Sequence, residues 1–428
     1  MLGRTFLAIA ALAALASAAY GWLFLWPLRV LHPEVRLATG SLFIKGARVY
    51  VSADAPVVES ADVLITDGRI AAVSPDLRPP AGARVVACDG CTVAAGFWNS
   101  HVHFTEAKWR GDPPASACNA ALADMLTSRG FTTVVDTGSD PRVTVSLRRR
   151  IESGELAGPF IYTAGSPLYP PHGIPHYLRG SMPAWMLMLL PQPEDPGAAA
   201  ADVETNIGRG ADLLKLFTGS YVERDRVLPM PVSIAKAAVD VAHRHGQLVF
   251  SHPSDLAGTR VALESGVDVL AHAPDTTVGV DDALLNLIVA HKMAMVPTLK
   301  MFASTVTTRP AYIDPIHAVV RRFHALGGEI LFGTDVGYMS DYATEDEVAA
   351  LVDCGLSPRD ILRALTTAPA ARFQQSSERG TVERGKVADL VVLDADPSVD
   401  PSTLARPRAT IRGGRVIFER ASDGAARK

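Results

Sequence analysis

Several short apolar runs in this chain stop on a polar residue, and that pattern restricts the available folds more than any other feature. Thr92-Val-Ala-Ala-Gly-Phe-Trp-Asn99 leads into His101-Val-His103; Ala211-Asp-Leu-Leu-Lys215-Leu-Phe-Thr218 carries a lysine inside an apolar run. Gln247-Leu-Val-Phe-Ser-His252, Val267-Asp-Val-Leu-Ala-His272 and Glu329-Ile-Leu-Phe-Gly-Thr-Asp335 each end on a side chain able to coordinate or to carry charge. Near-continuous hydrophobic runs of this length read as parallel strands buried on both faces. Polar groups gathered at the C-terminal ends of such strands are the arrangement by which a (β/α)8 barrel presents its chemistry.

Eight strands fit the pattern, near Phe97–His103, Thr132–Asp136, Phe160–Ala164, Asp212–Phe217, Leu248–His252, Asp268–His272, Ala294–Thr298 and Ile330–Asp335. Helix-spaced apolar residues fill Pro114–Arg129, Val232–His245 and Ile313–Leu326 between them. A Pro-rich insertion, Ser166–Pro196, follows the third strand and stands where a substrate lid would be. Outside the barrel the texture changes. Residues 41–95 and 380–420 alternate β-branched runs with turns, and Asp67-Gly68 between two of them is a hairpin signal. The fold class is therefore α/β: a (β/α)8 barrel over residues 96–370, with a small β-sandwich formed by both flanks.

The chain's 428 residues suit one barrel plus such an appendage, and its 48% hydrophobic and 20% charged content describes a globular protein with a large core. A net charge of −4 with scattered basic residues argues against a nucleic-acid partner. Between Arg4 and Arg29 there is no charged residue, so residues 1–30 read as a signal peptide or a transmembrane anchor. Ala16-Ser17-Ala18 offers a cleavage pattern, whereas Trp22 and Trp26 extend the apolar run toward an interface. Both readings export the barrel, as a periplasmic or extracytoplasmic protein that the segment tethers to the membrane if it is retained. Cys88-Asp-Gly-Cys91 is open between a local disulfide, a redox pair, half of a zinc site and buried thiols; no second Cys-x-x-Cys exists to complete a structural zinc site.

His101 and His103, alternating on one strand, project from the same face and can grip one ion. His252, His272 and Asp335 add nitrogen and oxygen ligands of the kind zinc prefers, more than one tetrahedral ion needs. Lys215 is the unusual member. Its ammonium cannot coordinate a cation, and among Leu213, Leu214, Leu216 and Phe217 it is costly to keep charged. A lysine deprotonated there can add carbon dioxide and become an anionic carbamate.

These residues, with the closing Gly380-Thr-Val-Glu-Arg-Gly-Lys-Val-Ala-Asp-Leu-Val-Val-Leu-Asp394, resemble the metal-dependent amidohydrolase superfamily, in particular its imidazolonepropionase-like and prolidase-like branch. The resemblance spans Ser41 to Phe418. It implies that His101, His103 and Asp335 bind one divalent metal, that His252 and His272 bind a second, and that N6-carboxylysine at Lys215 bridges them, with zinc as the expected metal. It further implies a metal-bridged hydroxide as nucleophile, with Asp335 as general base and then general acid. Imidazolonepropionases use one metal and lack the lysine, so Lys215 favours the binuclear, prolidase-like side. Asn99 departs from the Asp that many relatives carry there; an amide still orients a neighbour but adds no charge.

The implied substrate is a small molecule with an amide bond, such as a dipeptide or an N-acyl amino acid. Tyr221 after the fourth strand, and His172 and His176 in the insertion, are the candidate substrate contacts. Two other readings use the same residues: hydrolysis of esters, lactones or cyclic amides, and a catalytically silent binding protein. The second predicts lost ligands, and none is lost. A homo-oligomer stays open. Gly380-x-x-x-x-Gly385-Lys386 imitates a phosphate loop, but Val387 replaces its Ser or Thr, and no nucleophile elbow or His-Glu-x-x-His appears.

Overall fold

A computed structural model describes residues 35–421 except 89, 181 and 309. The apolar segment at residues 1–30 lies outside them; among the described residues, no helix is long and apolar enough to cross a membrane.

The N-terminal flank forms β1 (Ser41–Val49), β2 (Val58–Thr66) and β3 (Arg69–Ser74), joined as antiparallel neighbours. Asp67 and Gly68 turn β2 into β3 with φ of 49° and 77°, the left-handed pair that matches strand twist in a tight hairpin. β4 (Arg84–Ala87) and β5 (Thr92–Ala95) then lie parallel to successive halves of β1. Between them Cys88 and Cys91 are joined as a disulfide with Cα atoms 5.0 Å apart, which closes the half-zinc-site and free-thiol readings.

At Gly96 the chain leaves the flank for the barrel. A Cβ here would lie 2.3 Å from Thr132 Oγ1, so only glycine lets the two backbones approach this closely. The ring comprises β6 (Phe97–Val102), β7 (Phe131–Asp136), β8 (Phe160–Thr163) and β9 (Leu214–Phe217), and, after a hairpin of β10 (Gly219–Glu223) and β11 (Arg226–Pro229), β12 (Val249–His252), β13 (Val269–Leu270) and β14 (Ala294–Met295). β6-β7-β8 and β9-β12-β13-β14 are parallel throughout. The two arcs meet where Asp212 N donates to Thr163 O at 2.7 Å and Leu168 bridges Leu216. On the other side residues 329–336 close the ring: Leu331 N donates to Met295 O, Ser100 N to Phe332 O and His103 N to Val336 O. This eighth stave is not the regular strand expected over Ile330–Asp335. It makes isolated bridges at Ile330 and Val336, because Asp335 at φ 59° has left the extended region.

β15 (Leu390–Leu393), β16 (Ala409–Arg412) and β17 (Arg415–Glu419) return to the flank, where β15 pairs antiparallel with β5. Both chain ends therefore share one eight-stranded sheet, around a core that includes Ile44, Val63, Val93, Val392 and Ile411.

Within the barrel the period of two separates the cores. Leu213, Phe250, Val269, Ala294 and Leu331 cluster with one another inside the ring. Leu214, Val249, Leu270, Met295 and Phe332 instead join a cluster with helix residues such as Ala238, Ile288, Val320 and Leu362. Each large aliphatic buried this way contributes about 1.5–3 kcal/mol. Two residues beyond the inward Leu213 and Phe250 come Lys215 and His252, so the alternation that builds the core also aims these groups inward.

Candidate metal centre

His101 on β6 and His103 just past its end reach the interior through an irregularity. Trp98 packs inward, its ring 5.8 Å from that of Tyr162 and 5.4 Å from that of Phe373. Strict alternation from Trp98 would turn His101 and His103 outward. Between Asn99 and Val102 the register against β7 slips, with Asn99 opposite Val134 but Val102 opposite Asp136. One extra residue on β6 re-phases the strand.

His101 Nε2 then lies 3.4 Å, and His103 Nε2 3.0 Å, from Asp335 Oδ1. The three candidate ligand atoms all fall within 4.8 Å of one another. Apart from these two imidazoles, buried Asp335 Oδ1 meets no donor. Ligands around a tetrahedral zinc, with bonds of about 2.1 Å, stand about 3.4 Å apart, and the separations here, from 3.0 Å up to a bound of 4.8 Å, bracket that value. A divalent cation would satisfy the orphaned oxygen, so the residues fit the group.

Neighbouring groups orient one of the two imidazoles: Gly138 O accepts from His103 Nδ1 at 2.8 Å, and His103 Nε2, facing Asp335, lies 3.5 Å from Thr137 Oγ1. Gly138 is itself held by buried Asp136, whose Oδ1 accepts from Gly138 N and from Ser139 Oγ, and whose Oδ2 accepts from Thr163 Oγ1. Burial raises the Asp136 carboxyl above its ordinary range. For His103, burial opposes protonation, but Asp335 and Asp136 outweigh it and raise the pKa. Gly337, at φ 94°, carries the chain across the His103 carbonyl, where a Cβ would come within 1.8 Å.

His252 and His272 stand beside this group. The His272 ring centroid is 4.5 Å from those of both His101 and His252. Burial first, and then the neighbouring positive groups including Lys215, hold His101, His252 and His272 well below their ordinary value. Lys215 is buried on β9 beside Phe217, which stacks between His252 and Tyr169. Burial lowers its pKa to about 7, with Asp335 pulling the other way. The six residues singled out as ligands thus converge on one end of the ring.

The substrate candidates divide. Tyr221 donates to Asp275 Oδ2 at 3.0 Å and lies 2.8 Å from Thr276 Oγ1. Tyr312 donates to the same carboxylate oxygen at 2.5 Å. His176 donates from Nδ1 to Tyr221 O at 3.1 Å, which ties the insertion to the loop after β9. His172 is exposed at φ 55° and makes no hydrogen bond or ion pair among the described residues.

Sequence reasoning passed over Tyr177, which sits in the insertion against His176 and Tyr338 and whose phenol burial raises well above its ordinary value. No periodic signal marks a residue in such a loop. It also passed over Asp136, although a carboxylate ending an apolar strand was the same signal that exposed His252 and His272.

A closed parallel ring with histidines and an aspartate at one strand-end mouth defines a barrel hydrolase of the metal-dependent kind. Residues 92–417 match the amidohydrolase family, and the chain belongs to it. A protein of Mycobacterium tuberculosis described as uncharacterized is 28% identical over 82% of this chain and 91% of its own length. The imidazolonepropionase of Symbiobacterium thermophilum is 26% identical, over 79% of this chain and 85% of its own. Among solved structures, a Xaa-Pro dipeptidase with methionine bound in its active site superposes with a TM-score of 0.77 at 22% identity, covering 89% of this chain and 100% of that one. Family membership makes the chain a hydrolase acting on carbon–nitrogen bonds.

Proposed function

We propose that the chain hydrolyses an amide bond in a small molecule, a dipeptide or an N-acyl amino acid, at two divalent ions of the zinc type. The observation that carries this is the convergence of His101 Nε2 and His103 Nε2 on buried Asp335 Oδ1, at 3.4 and 3.0 Å. His101, His103 and Asp335 would hold one ion, and His252 and His272 the other. Bound there, the cations would supply Lewis acidity and an activated water at neutral pH.

The protein's own groups do the rest. With its amine near half-neutral at pH 7, Lys215 can add carbon dioxide, forming an N–C bond and releasing a proton, to give N6-carboxylysine. That would convert a cation the ions repel into an anionic side chain able to help hold them. Asp335, buried and meeting only the two imidazoles at Oδ1, is placed to take a proton from water and to deliver it to the departing amine. Tyr177, Tyr221 and His176 cover the mouth, where they supply substrate contacts and exclude water. The dipeptidase likeness supports the peptide-like substrate.

Loading the purified chain with zinc and screening dipeptides, N-acyl amino acids and lactones tests the proposal. Amide hydrolysis is expected; turnover of lactones or esters alone would move the substrate class, and bound metal with no hydrolysis would overturn the reading. Intact mass should show the increment of one carbon dioxide. We also place the barrel outside the cytoplasm, on the uncharged apolar run before Arg29 and the Cys88–Cys91 disulfide. Cell fractionation checks this.

A further inference from the structure

We propose that Glu347 is a positioning residue for His272, acting through the backbone of Thr298. The proposal rests on the two-ion reading only for what His272 does, not for how it is held.

His272 Nδ1 lies 2.8 Å from Thr298 Oγ1, and the Thr298 hydroxyl donates to Pro297 O at 2.8 Å. With its hydrogen spent on Pro297, the hydroxyl offers His272 a lone pair. In this arrangement Nδ1 carries the ring proton, and Nε2 is left for a ligand on the side of His101 and His252; the opposite tautomer would need the hydroxyl to turn away from Pro297 O. Tautomer selection at His272 thus depends on where Thr298 puts its oxygen.

Thr298 puts it there from an unfavourable backbone state. Its φ and ψ are 51° and 47°, left-handed values that a β-branched residue adopts only when its surroundings impose them. The surroundings are visible. Thr298 precedes the helix α1 (Leu299–Thr305), whose leading amides both point at one carboxylate: Leu299 N donates to Glu347 Oε1 at 3.1 Å and Lys300 N to Glu347 Oε2 at 2.7 Å. Glu347 is fully buried in the first turn of α2 (Glu345–Asp353). The Lys300 side chain reaches the loop leading into α2, donating to Ala343 O at 2.7 Å with Asp341 Oδ2 at 2.8 Å. Both amides and the ammonium after Thr298 are thus clamped from one direction, so its backbone cannot relax toward ordinary angles without breaking buried hydrogen bonds.

Two amides ask for two acceptor atoms, which a carboxylate supplies. Glutamine would turn an NH2 toward one of the amides, and alanine would leave both without an acceptor.

The test uses the metal-free full chain with 15N-labelled histidine, followed by zinc stoichiometry after dialysis against a graded chelator. Wild type should show His272 protonated at Nδ1 and should keep two ions per chain. Glu347→Gln should mix the tautomers and weaken retention of one ion by about tenfold, the usual cost of losing a partner behind a metal-bound histidine. Thr298→Val, which removes the acceptor and leaves Glu347 alone, should do the same, and Thr298→Ser should restore both readouts. If Glu347→Gln does not fold, Glu347→Asp decides: it keeps the carboxylate but draws it back from the amides of Leu299 and Lys300, and should shift both readouts in the same direction. Val63→Ala, a truncation in the separate core of the flanking sheet, should lower Tm and leave both readouts unchanged. His272 protonated at Nε2 in wild type, unaltered tautomer and zinc retention in Glu347→Gln or Thr298→Val, or equal zinc loss in Val63→Ala, overturns the proposal. Correct tautomers in a chain that binds no zinc would instead sink the hydrolase reading and leave this one standing.

Discussion

Asn99 and Thr334 hold each other by two hydrogen bonds: Asn99 Nδ2 donates to Thr334 Oγ1 at 2.7 Å, and Thr334 N donates to Asn99 Oδ1 at 3.2 Å. The same Oδ1 also accepts from His101 N at 3.2 Å. One fully buried amide thereby joins the first stave, which carries the histidine pair, to the eighth, which carries Asp335. The amide donates to the Thr334 hydroxyl and accepts from two backbone amides without bringing a charge into the buried site.

Asn99→Ala should leave buried amides without an acceptor and destabilise the chain by about 2–4 kcal/mol. Thermal unfolding measures this, and zinc retention should fall in the same variant because His101 and Asp335 are no longer tied. Unchanged Tm and zinc content would refute the linking role.

Asp335→Asn should keep the fold, because asparagine tolerates the φ of 59° that Asp335 adopts. Turnover should drop by about a thousandfold or more, as expected when a proton-transfer and ligand group is lost together. Circular dichroism with steady-state kinetics separates the two effects.

Lys215→Met should raise the stability of metal-free protein while depleting bound metal. The sign follows from the depressed pKa, about 7 in the fold against 10.5 ordinarily. Between those values the unfolded chain binds the proton and the native chain does not, so wild-type stability rises with pH across that window and the full penalty applies below it. The gain from Met should therefore be largest at pH 6, on the order of a few kcal/mol, and shrink toward pH 10. Denaturant titrations at both pH values check it, with metal analysis in parallel.

Asp275→Asn gives a pH test at the mouth. Burial lifts the Asp275 carboxyl from 3.8 to about 6, with Tyr221 and Tyr312 acting against that rise. A raised carboxyl contributes stability that is present below the unfolded value and is lost as pH climbs through the folded one. Wild type should thus lose on the order of 1–2 kcal/mol relative to the variant between pH 4 and pH 7. Parallel curves would exclude an ionising Asp275.

The strand-ending polar residues made the barrel and its ligand set legible because they need only the period of two and a burial argument. The insertion was legible as an insertion but not as geometry: Tyr177 and the exposed His172 occupy one loop, and nothing in the sequence separates them. The relay from Glu347 to His272 was invisible for a plainer reason, since its members lie on separate elements and meet through backbone amides, which every residue possesses.

By itself the sequence determined which side chains are available and that strand alternation turns Lys215 and His252 into the ring. The tertiary structure alone decided that the β6 bulge brings His101 and His103 to the same interior as Trp98. It also decided that Asp335 leaves the extended region to meet them. A one-residue slip reverses every side chain beyond it, and such a slip is set by the pairing partners on β7 and the eighth stave, not by β6 alone.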